Sequence, residues 1–205
     1  HQARLRRGRS RPVDLRGVTE SVVTTLGPND RWNVAALGLE VSQEQRQDGE
    51  ATQPMVTART WGRTRTRRNF ETRGEGYVQF TPDPVDFVEV AMGIREEDDP
   101  VLDSASAWAR VEVLRAEEGV TDGTAWVGWR LTPVESVVRE ESVPTINRGY
   151  NALVEATVVA SRLDVEGYDR EVLEGLLDYL LDVVRRCGGE REQAALERFD
   201  ALLED

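Results

Sequence analysis

Histidine and cysteine are almost absent from this sequence. Among 205 residues the one His is His1 and the one Cys is Cys187. Catalytic triads and Cys-His pairs need a histidine inside the fold, and zinc sites need clustered His or Cys. The sequence therefore excludes these sites and an intrachain disulfide. We assign no metal ligands; a carboxylate-only Mg²⁺ or Ca²⁺ site stays open, without EF-hand spacing, and an organic cofactor is the simpler source of reactivity.

Lysine is missing altogether, and acidic residues dominate. All 26 basic residues are Arg, against 38 Asp and Glu, for a net charge of -12. A negative, lysine-free surface stays hydrated where salt screens repulsion, so we expect a salt-rich cytoplasm, as in halophiles. A GC-rich genome explains the preference for Arg equally well. The net charge argues against nucleic acid as the main partner, because phosphate neutralisation needs a basic surface.

The sequence contains no apolar run of membrane-spanning length. Residues 1–11 are basic but are not followed by an apolar stretch, so they do not form a secretory signal. We predict a soluble, cytoplasmic protein with no membrane partner. We also predict that residues 1–16, with six Arg and one Asp, form a disordered basic tail.

Short β-branched segments separated by turn residues dominate residues 17–140. Gly27 and Pro28 mark a hairpin turn, Gly62 ends a strand, and Gly123 marks a second turn. The spacing of six or seven strands predicts a barrel or a sandwich. The predicted strands are residues 18–25, 32–41, 55–61, 76–81, 107–117, 124–132 and 134–140; the predicted loops are 43–53 and 95–100.

Helical periodicity replaces strand alternation in the C-terminal part. Apolar residues recur at helical spacing in three segments: one begins at Asn147, one runs from Glu171 to Gly188-Gly189, and one contains Leu196, Phe199, Leu202 and Leu203. Two shorter helices are predicted earlier, one over residues 64–72 with Thr64 near its N-cap and one ending at Met92. We therefore divide the chain into a β domain, residues 17–140, and a helical region, residues 141–205, packed on it.

Residues 59–73 reverse the local sign of charge, with six Arg and one Glu. Guanidinium groups match phosphate oxygens, and a helix start adds free amides and, here, threonine hydroxyls. Arg59, Thr64, Thr66 and Arg67 therefore predict a phosphate-binding site. Two alternatives remain: a solvated helix face, or internal pairing with the many carboxylates.

Three other segments carry candidate ligand contacts. The hydroxyl of Thr25 ends the first strand, and Asn33, Ala35 and Ala36 follow in the next, where small side chains leave room for a flat ligand or another backbone. Small residues where strands or subunits approach give the same pattern. At the first C-terminal helix, Asn147 is predicted to be the N-cap. Arg148 opposes the helix dipole and so predicts an anion or carboxylate partner.

With these segments in view, the chain resembles a family of proteins of unknown function from archaea and some bacteria, built on the FMN-binding split β-barrel of flavin reductase-like proteins. The ordered set of motifs carries the resemblance, over roughly residues 17–162. It departs from the family at Ala36-Leu37, where a proline is usual, and in its Arg-rich segment. The matching motifs are residues 20–25, 33–38, 66–70, 80–87 and 147–156.

The resemblance implies a split β-barrel with a C-terminal helical region, and a homodimer with FMN near the subunit interface. Carried onto matching positions, it implies three groups of contacts. The isoalloxazine ring or ribityl chain would lie near Thr25, Asn33, Ala35 and Ala36. The phosphate would be held by Arg59, Thr64, Thr66 and Asn69. The helical part would close the site with Asn147 and Arg148.

Three functions remain open on the sequence alone. One is an FMN-dependent oxidoreductase, in which the flavin itself supplies the chemistry. Another is a non-catalytic flavin binder for storage, sensing or delivery. The third is a nucleic-acid protein that uses the N-terminal tail and residues 59–73, with affinity that falls steeply with salt.

Overall fold

The computed structural model describes residues 6–8, 11–42 and 55–204. The chain forms two compact units. We call His1–Phe80 with Glu96–Glu141 the barrel unit, and Thr81–Arg95 with Ser142–Asp205 the helical unit.

Eight strands and five helices make up the described residues. The strands are β1 Arg6–Gly8, β2 Val18–Leu26, β3 Trp32–Ser42, β4 Met55–Trp61, β5 Glu75–Phe80, β6 Arg95–Glu97, β7 Ala107–Thr121 and β8 Thr124–Val138. The helices are α1 Arg65–Arg73, α2 Pro84–Met92, α3 Arg148–Ala160, α4 Arg170–Cys187 and α5 Glu190–Glu204.

Six antiparallel strands close into a barrel. Their order is β8-β4-β3-β2-β5-β7, and pairing of β7 with β8 completes the circle. The short β1 adds to β8, and the short β6 pairs with β3. Closure leaves no unpaired strand edge in this ring. Of the two predicted alternatives, a barrel and a sandwich, the fold is therefore a barrel.

The barrel interior follows from the alternation of side chains along its strands. On β4 and β7 buried and less buried residues alternate, as expected when one face of each strand lines a core. Helix α1 contributes Phe70, which is 2% exposed and makes an edge-to-face contact with Trp129 at a centroid distance of 5.3 Å. The Trp129 Nε1 donates to Thr60 Oγ1 at 2.9 Å, so the buried indole is also satisfied.

The helical unit has its own apolar core. Val88 of α2, Leu153 of α3 and Phe199 of α5 are fully buried in it. The N-terminus of α3 lies beside the C-terminus of α4 in space, and a Cβ on Gly149 would lie 2.5 Å from the Cα of Gly188. This approach is possible because neither residue has a side chain.

The division of the chain differs from the predicted one. Helix α2 lies between barrel strands in the sequence, yet its buried face belongs to the core of the helical unit. An amphipathic pattern predicts that a helix has a buried face but not which partner covers it. The helical unit is therefore discontinuous, and a single boundary near residue 140 does not describe it.

Part of the predicted disordered tail is ordered. Arg6–Gly8 pairs with β8, and Leu15 is 7% exposed within the barrel core. The disorder prediction is therefore wrong for these residues, because β8 supplies backbone partners for Arg6–Gly8 and the barrel core buries Leu15. Two smaller differences are that part of the predicted acidic loop forms β6 and that residues 124–138 form one strand instead of two. The predicted loop over residues 43–53 lies outside the described residues.

Within the described ranges, no helix is both long enough and apolar enough to span a bilayer.

Candidate functional site

The junction of β4 with α1 carries the predicted anion site. Gly62 has a φ of 66°, a left-handed conformation that glycine adopts without strain. Thr64 caps α1 by accepting a hydrogen bond from the Arg67 amide at 3.1 Å, which confirms the predicted cap. The Arg67 guanidinium donates back to the Gly62 carbonyl at 3.2 Å. The first turn of α1 therefore presents its positive end at a fixed bend.

Four predicted site residues form a buried polar cluster that joins α1 to the barrel. Thr25 of β2 lies opposite Asn33 of β3, and Thr66 and Asn69 project from α1. Asn69 Nδ2 donates to Thr25 Oγ1 at 2.9 Å, and Asn33 Nδ2 donates to Thr66 Oγ1 at 3.3 Å. All four side chains are at most 7% exposed. Their polar atoms thus bond to one another, and the cluster positions α1.

This arrangement links two groups of residues that were predicted to contact different parts of FMN. Thr25 and Asn33 were predicted to contact the ring or ribityl chain, and Thr66 and Asn69 the phosphate. The structure brings one member of each group into each hydrogen bond. Such buried amides and hydroxyls are costly to leave unpaired, so these bonds fix the position of the helix.

The paired small residues of β3 point to opposite faces of the strand. Ala35 lies on the same face as Asn33 and packs against the barrel core, whereas Ala36 lies on the other face. Both are half-buried. One flat ligand on one side of β3 would therefore touch the side chain of only one of them.

A second buried network was missed by the sequence reasoning. Gln79 of β5 is fully buried, and its Nε2 donates to Thr24 Oγ1 at 3.1 Å and to the Pro100 carbonyl at 2.8 Å. Its Oε1 accepts from the Leu102 amide at 2.8 Å, and Thr24 also donates to the Pro100 carbonyl. A strand glutamine gives no signal of burial in the sequence. The network holds the loop before β7 against β2 and β5.

The arginines of residues 59–73 do not converge on one point. Arg59 lies 3.6 Å from Glu117 and stacks over the Trp126 ring at 4.6 Å. Arg67 pairs with Glu71 at 3.1 Å, one helical turn away. Internal pairing with carboxylates, one of the alternatives left open by the sequence, therefore accounts for much of this charge.

The remaining arginines of the segment differ in their surroundings. Arg65, the first residue of α1, pairs with Glu96 at 2.9 Å. Arg73 reaches the Gly27 carbonyl at 3.5 Å, while Arg63 and Arg68 are exposed. Glu96 and Glu117 are distant in sequence from their partners, so no local pattern announces these pairs.

Asn147 and Arg148 belong to the helical unit. Asn147 Oδ1 accepts from the Tyr150 amide at 3.0 Å, which confirms its prediction as the N-cap of α3. Arg148 is the first residue of α3 and is exposed. Their predicted role in closing a flavin site stays a prediction.

Two tyrosines have pKa values above the ordinary range. Burial raises the pKa of Tyr77; Arg110 opposes that rise, and nearby carboxylates add to it. Burial raises the pKa of Tyr150 to about 12, with Asp83 and Glu192 adding to the rise. Both phenols therefore stay protonated near neutral pH. Among residues 11–42 and 55–204, no group of three or more His, Cys, Asp or Glu side chains could hold a metal ion.

One solved structure shares this fold over most of its length. An FMN-bound protein from Methanosarcina mazei, itself described as DUF447, matches with 23% identity and a TM-score of 0.73, over 91% of this chain and 95% of that chain. Nitrilotriacetate monooxygenase component B from Bacillus cereus matches with 14% identity and a TM-score of 0.46, over 64% of this chain and 74% of that one. An FMN-binding protein from Thermus thermophilus with bound p-hydroxybenzaldehyde matches with 14% identity and a TM-score of 0.39, over 62% and 90%.

The first of these likenesses confirms the predicted split β-barrel with C-terminal helices. No curated protein matches the chain. Two family models match it, a protein of unknown function (DUF447) N-terminal domain over residues 19–140 and a protein of unknown function (DUF447) over residues 147–200. The resemblance predicted from the sequence is confirmed, and the chain belongs to the DUF447 family.

Proposed function

We propose that this protein binds FMN. The observation that carries the proposal is the FMN-bound protein from Methanosarcina mazei, which belongs to the same family and shares the fold over most of both chains. The residues at the start of α1 fit the phosphate end of such a ligand. They combine a positive helix end, a threonine hydroxyl and nearby guanidinium groups, each of which favours a phosphate.

In this proposal the exposed residues at the β4–α1 junction contact the phosphate directly. The Thr64 hydroxyl accepts a bond from the Arg67 amide, and its own hydrogen can be donated to a phosphate oxygen. Arg65 adds a charge at the first position of α1, and Arg59 lies on the β4 side of the junction. The buried Thr66 and Asn69 support the phosphate contact from behind, since their bonds hold α1 in place.

The other proposed contacts follow the family resemblance. Thr25, Asn33 and one of the two alanines, Ala35 or Ala36, would lie near the isoalloxazine ring or the ribityl chain, because the alanine side chains point to opposite faces of β3. The α3 N-terminus, with Asn147 and Arg148, would complete the site. Bound FMN would supply hydride or electron chemistry, and these residues would bind and orient it.

The first test is a spectrum and a titration. Purified protein is reconstituted with FMN, and binding is followed by flavin fluorescence in parallel with riboflavin, which lacks the phosphate. We expect FMN to bind at least about tenfold more tightly than riboflavin, which corresponds to about 1.4 kcal/mol. A colourless protein with no thermal stabilisation by FMN would contradict the proposal.

Substitutions of single arginines test where the FMN phosphate binds. Arg65→Gln and Arg59→Gln should weaken FMN binding about three- to tenfold, since each removes one charge-assisted contact. Riboflavin binding should not change. Arg16→Gln is the matched control, because Arg16 is an exposed arginine of the same unit that pairs with Asp14 at 3.0 Å. Equal losses for FMN and riboflavin would argue against a phosphate contact at these residues.

A flavin-dependent oxidoreductase and a non-catalytic flavin binder are both compatible with this site. The buried cluster consists of hydroxyl and amide side chains, which bind ligands but do not exchange protons at neutral pH; this favours the binder, or chemistry done by the flavin alone. Anaerobic addition of NADH or NADPH separates the two. Rapid bleaching of the bound flavin supports an oxidoreductase, and unchanged absorbance supports a binder.

The proposal includes a homodimer in the cytoplasm, with FMN near the subunit interface. Light scattering of the eluting protein, with and without FMN, measures the mass in solution. A monomer of 23.0 kDa in both samples would remove the dimer from the proposal.

A further inference from the structure

We propose that the Glu96 carboxylate competes with the ligand's phosphate for Arg65. Its carboxylate holds Arg65 at the N-terminus of α1, where the proposed function places the phosphate, and this inference rests on that function. A ligand phosphate must take Arg65 away from Glu96, so this carboxylate sets how tightly a phosphorylated ligand binds relative to its dephosphorylated form.

Both carboxylate oxygens of Glu96 are engaged. Arg65 Nη1 lies 2.9 Å from Oε1, and Asn29 Nδ2 donates to Oε2 at 3.1 Å. The Glu96 side chain is 29% exposed and that of Arg65 is 43% exposed. An anion therefore already sits at the start of α1, and it is a side chain of the protein itself.

The segment that carries Glu96 is fixed in place. Arg31 Nη2 donates to the Glu96 carbonyl at 3.0 Å, and Arg31 Nη1 pairs with Asp98 at 2.8 Å. Arg31 itself closes the β2–β3 turn, where its carbonyl accepts from the Gly27 amide at 2.8 Å. The backbone of Glu96 is held by these contacts without the help of its carboxylate. Removing the charge should therefore leave the segment where it is.

The ion pair between Arg65 and Glu96 is weak enough for a phosphate to displace Glu96, so the pair lowers phosphate affinity without preventing binding. An ion pair between partly exposed side chains contributes little, and its loss changes an equilibrium by no more than about fivefold. A phosphate carries more charge than a carboxylate and offers three acceptor oxygens. It can therefore displace Glu96 from Arg65, at the cost of a reduced affinity and with a nearby negative charge that repels it.

The test uses Glu96→Gln, which keeps the shape of the side chain and its oxygen toward Asn29 or Arg65. We expect FMN to bind about two- to fivefold more tightly to this variant at low salt. Riboflavin affinity should not change, because riboflavin has no phosphate. The gain should shrink as salt is added, since salt screens the repulsion between exposed charges.

Glu75→Gln is the matched control. Glu75 is an exposed carboxylate of the barrel unit that pairs with Arg110 at 3.5 Å, and its loss should leave both affinities unchanged. Thermal unfolding of each variant shows that the barrel is intact before the titration.

The outcomes separate this inference from the proposed function. If wild-type protein binds FMN and Glu96→Gln binds it with equal or lower affinity, the competitor role is wrong while flavin binding stands. The competitor role is also wrong if the variant gains the same affinity for riboflavin as for FMN. If neither protein binds FMN, both proposals fall together.

Discussion

The hydrogen bond between Thr25 and Asn69 offers a direct test of how α1 is attached to the barrel. Thr25→Val keeps the shape of the side chain but leaves the buried Asn69 amide with only the Thr25 carbonyl, at 3.4 Å. An unsatisfied buried donor costs about 1–3 kcal/mol, so this single change should destabilise the barrel by that amount. Asn69→Leu removes the other partner and should cost a similar amount.

The double variant, Thr25→Val with Asn69→Leu, separates the contribution of the hydrogen bond to stability from the contributions of the two side chains. Replacing both partners of a buried hydrogen bond by apolar groups leaves no donor or acceptor unpaired, so it should cost less than the two single changes together. We expect a coupling free energy of about 0.5–3 kcal/mol. Thr25→Ser, which keeps the hydroxyl, is the control and should couple to Asn69 as the wild-type residue does.

Urea unfolding followed by tryptophan fluorescence measures this effect in the barrel unit, which contains the hydrogen bond. All five tryptophans lie in the barrel unit, so fluorescence reports the barrel and not the helices. With a slope of about 1–3 kcal/mol/M, a loss of about 2 kcal/mol moves the midpoint by roughly 1 M. Costs of the single variants that add within about 0.5 kcal/mol in the double variant would refute the reasoning, because unconnected residues behave in that way.

Three further predictions concern packing and ionisation. Phe70→Ala should destabilise the barrel by about 3–5 kcal/mol in urea unfolding, and Phe70→Leu by clearly less, because Phe70 fills the core beside Trp129. In the helical unit, Gly149→Ala should lower the thermal midpoint measured by circular dichroism, since the new methyl group would meet Gly188; Gly175→Ala, with nothing within 4 Å, should stabilise α4 by about 0.5–1 kcal/mol, and a loss in both would contradict the reasoning. Because the folded pKa of Tyr150, about 12, exceeds the ordinary value of 10.0, its contribution to stability should be constant below pH 10 and should be lost between pH 10 and 12. Tyr150→Phe should reduce that loss, and an unchanged alkaline profile would show that Tyr150 does not cause it.

The strands and the start of α1 were predictable because their signals are local. Alternation of side chains marks a half-buried strand, and Thr64 three residues before an amide that needs a partner marks a helix start. The continuity of β8 was not predictable, because Pro133 normally ends a strand. The structure accommodates it opposite Val111, beside a register shift between β7 and β8 where the regular ladder is already interrupted.

The sequence singles out the polar residues of the buried cluster but not their pairing. Thr25, Asn33, Thr66 and Asn69 are all candidates from the sequence, yet their hydrogen bonds join residues up to 44 positions apart. Nothing local in the sequence specifies such a partner. The same holds for Arg65 and Glu96, whose contact depends on how the whole barrel brings β6 and α1 together.

The position of α2 in the chain also constrains the order of synthesis and folding. The ribosome makes α2 in the middle of the barrel sequence, but the helices that cover its buried face follow later. At ordinary translation rates α3 is complete roughly 3–14 s and α5 roughly 6–22 s after α2. During that interval Phe87 and Val88 have no permanent cover from the helices that bury them in the finished protein. A nascent chain that ends before residue 142 therefore lacks the helices that cover these side chains, and no single cut in the sequence separates the two units.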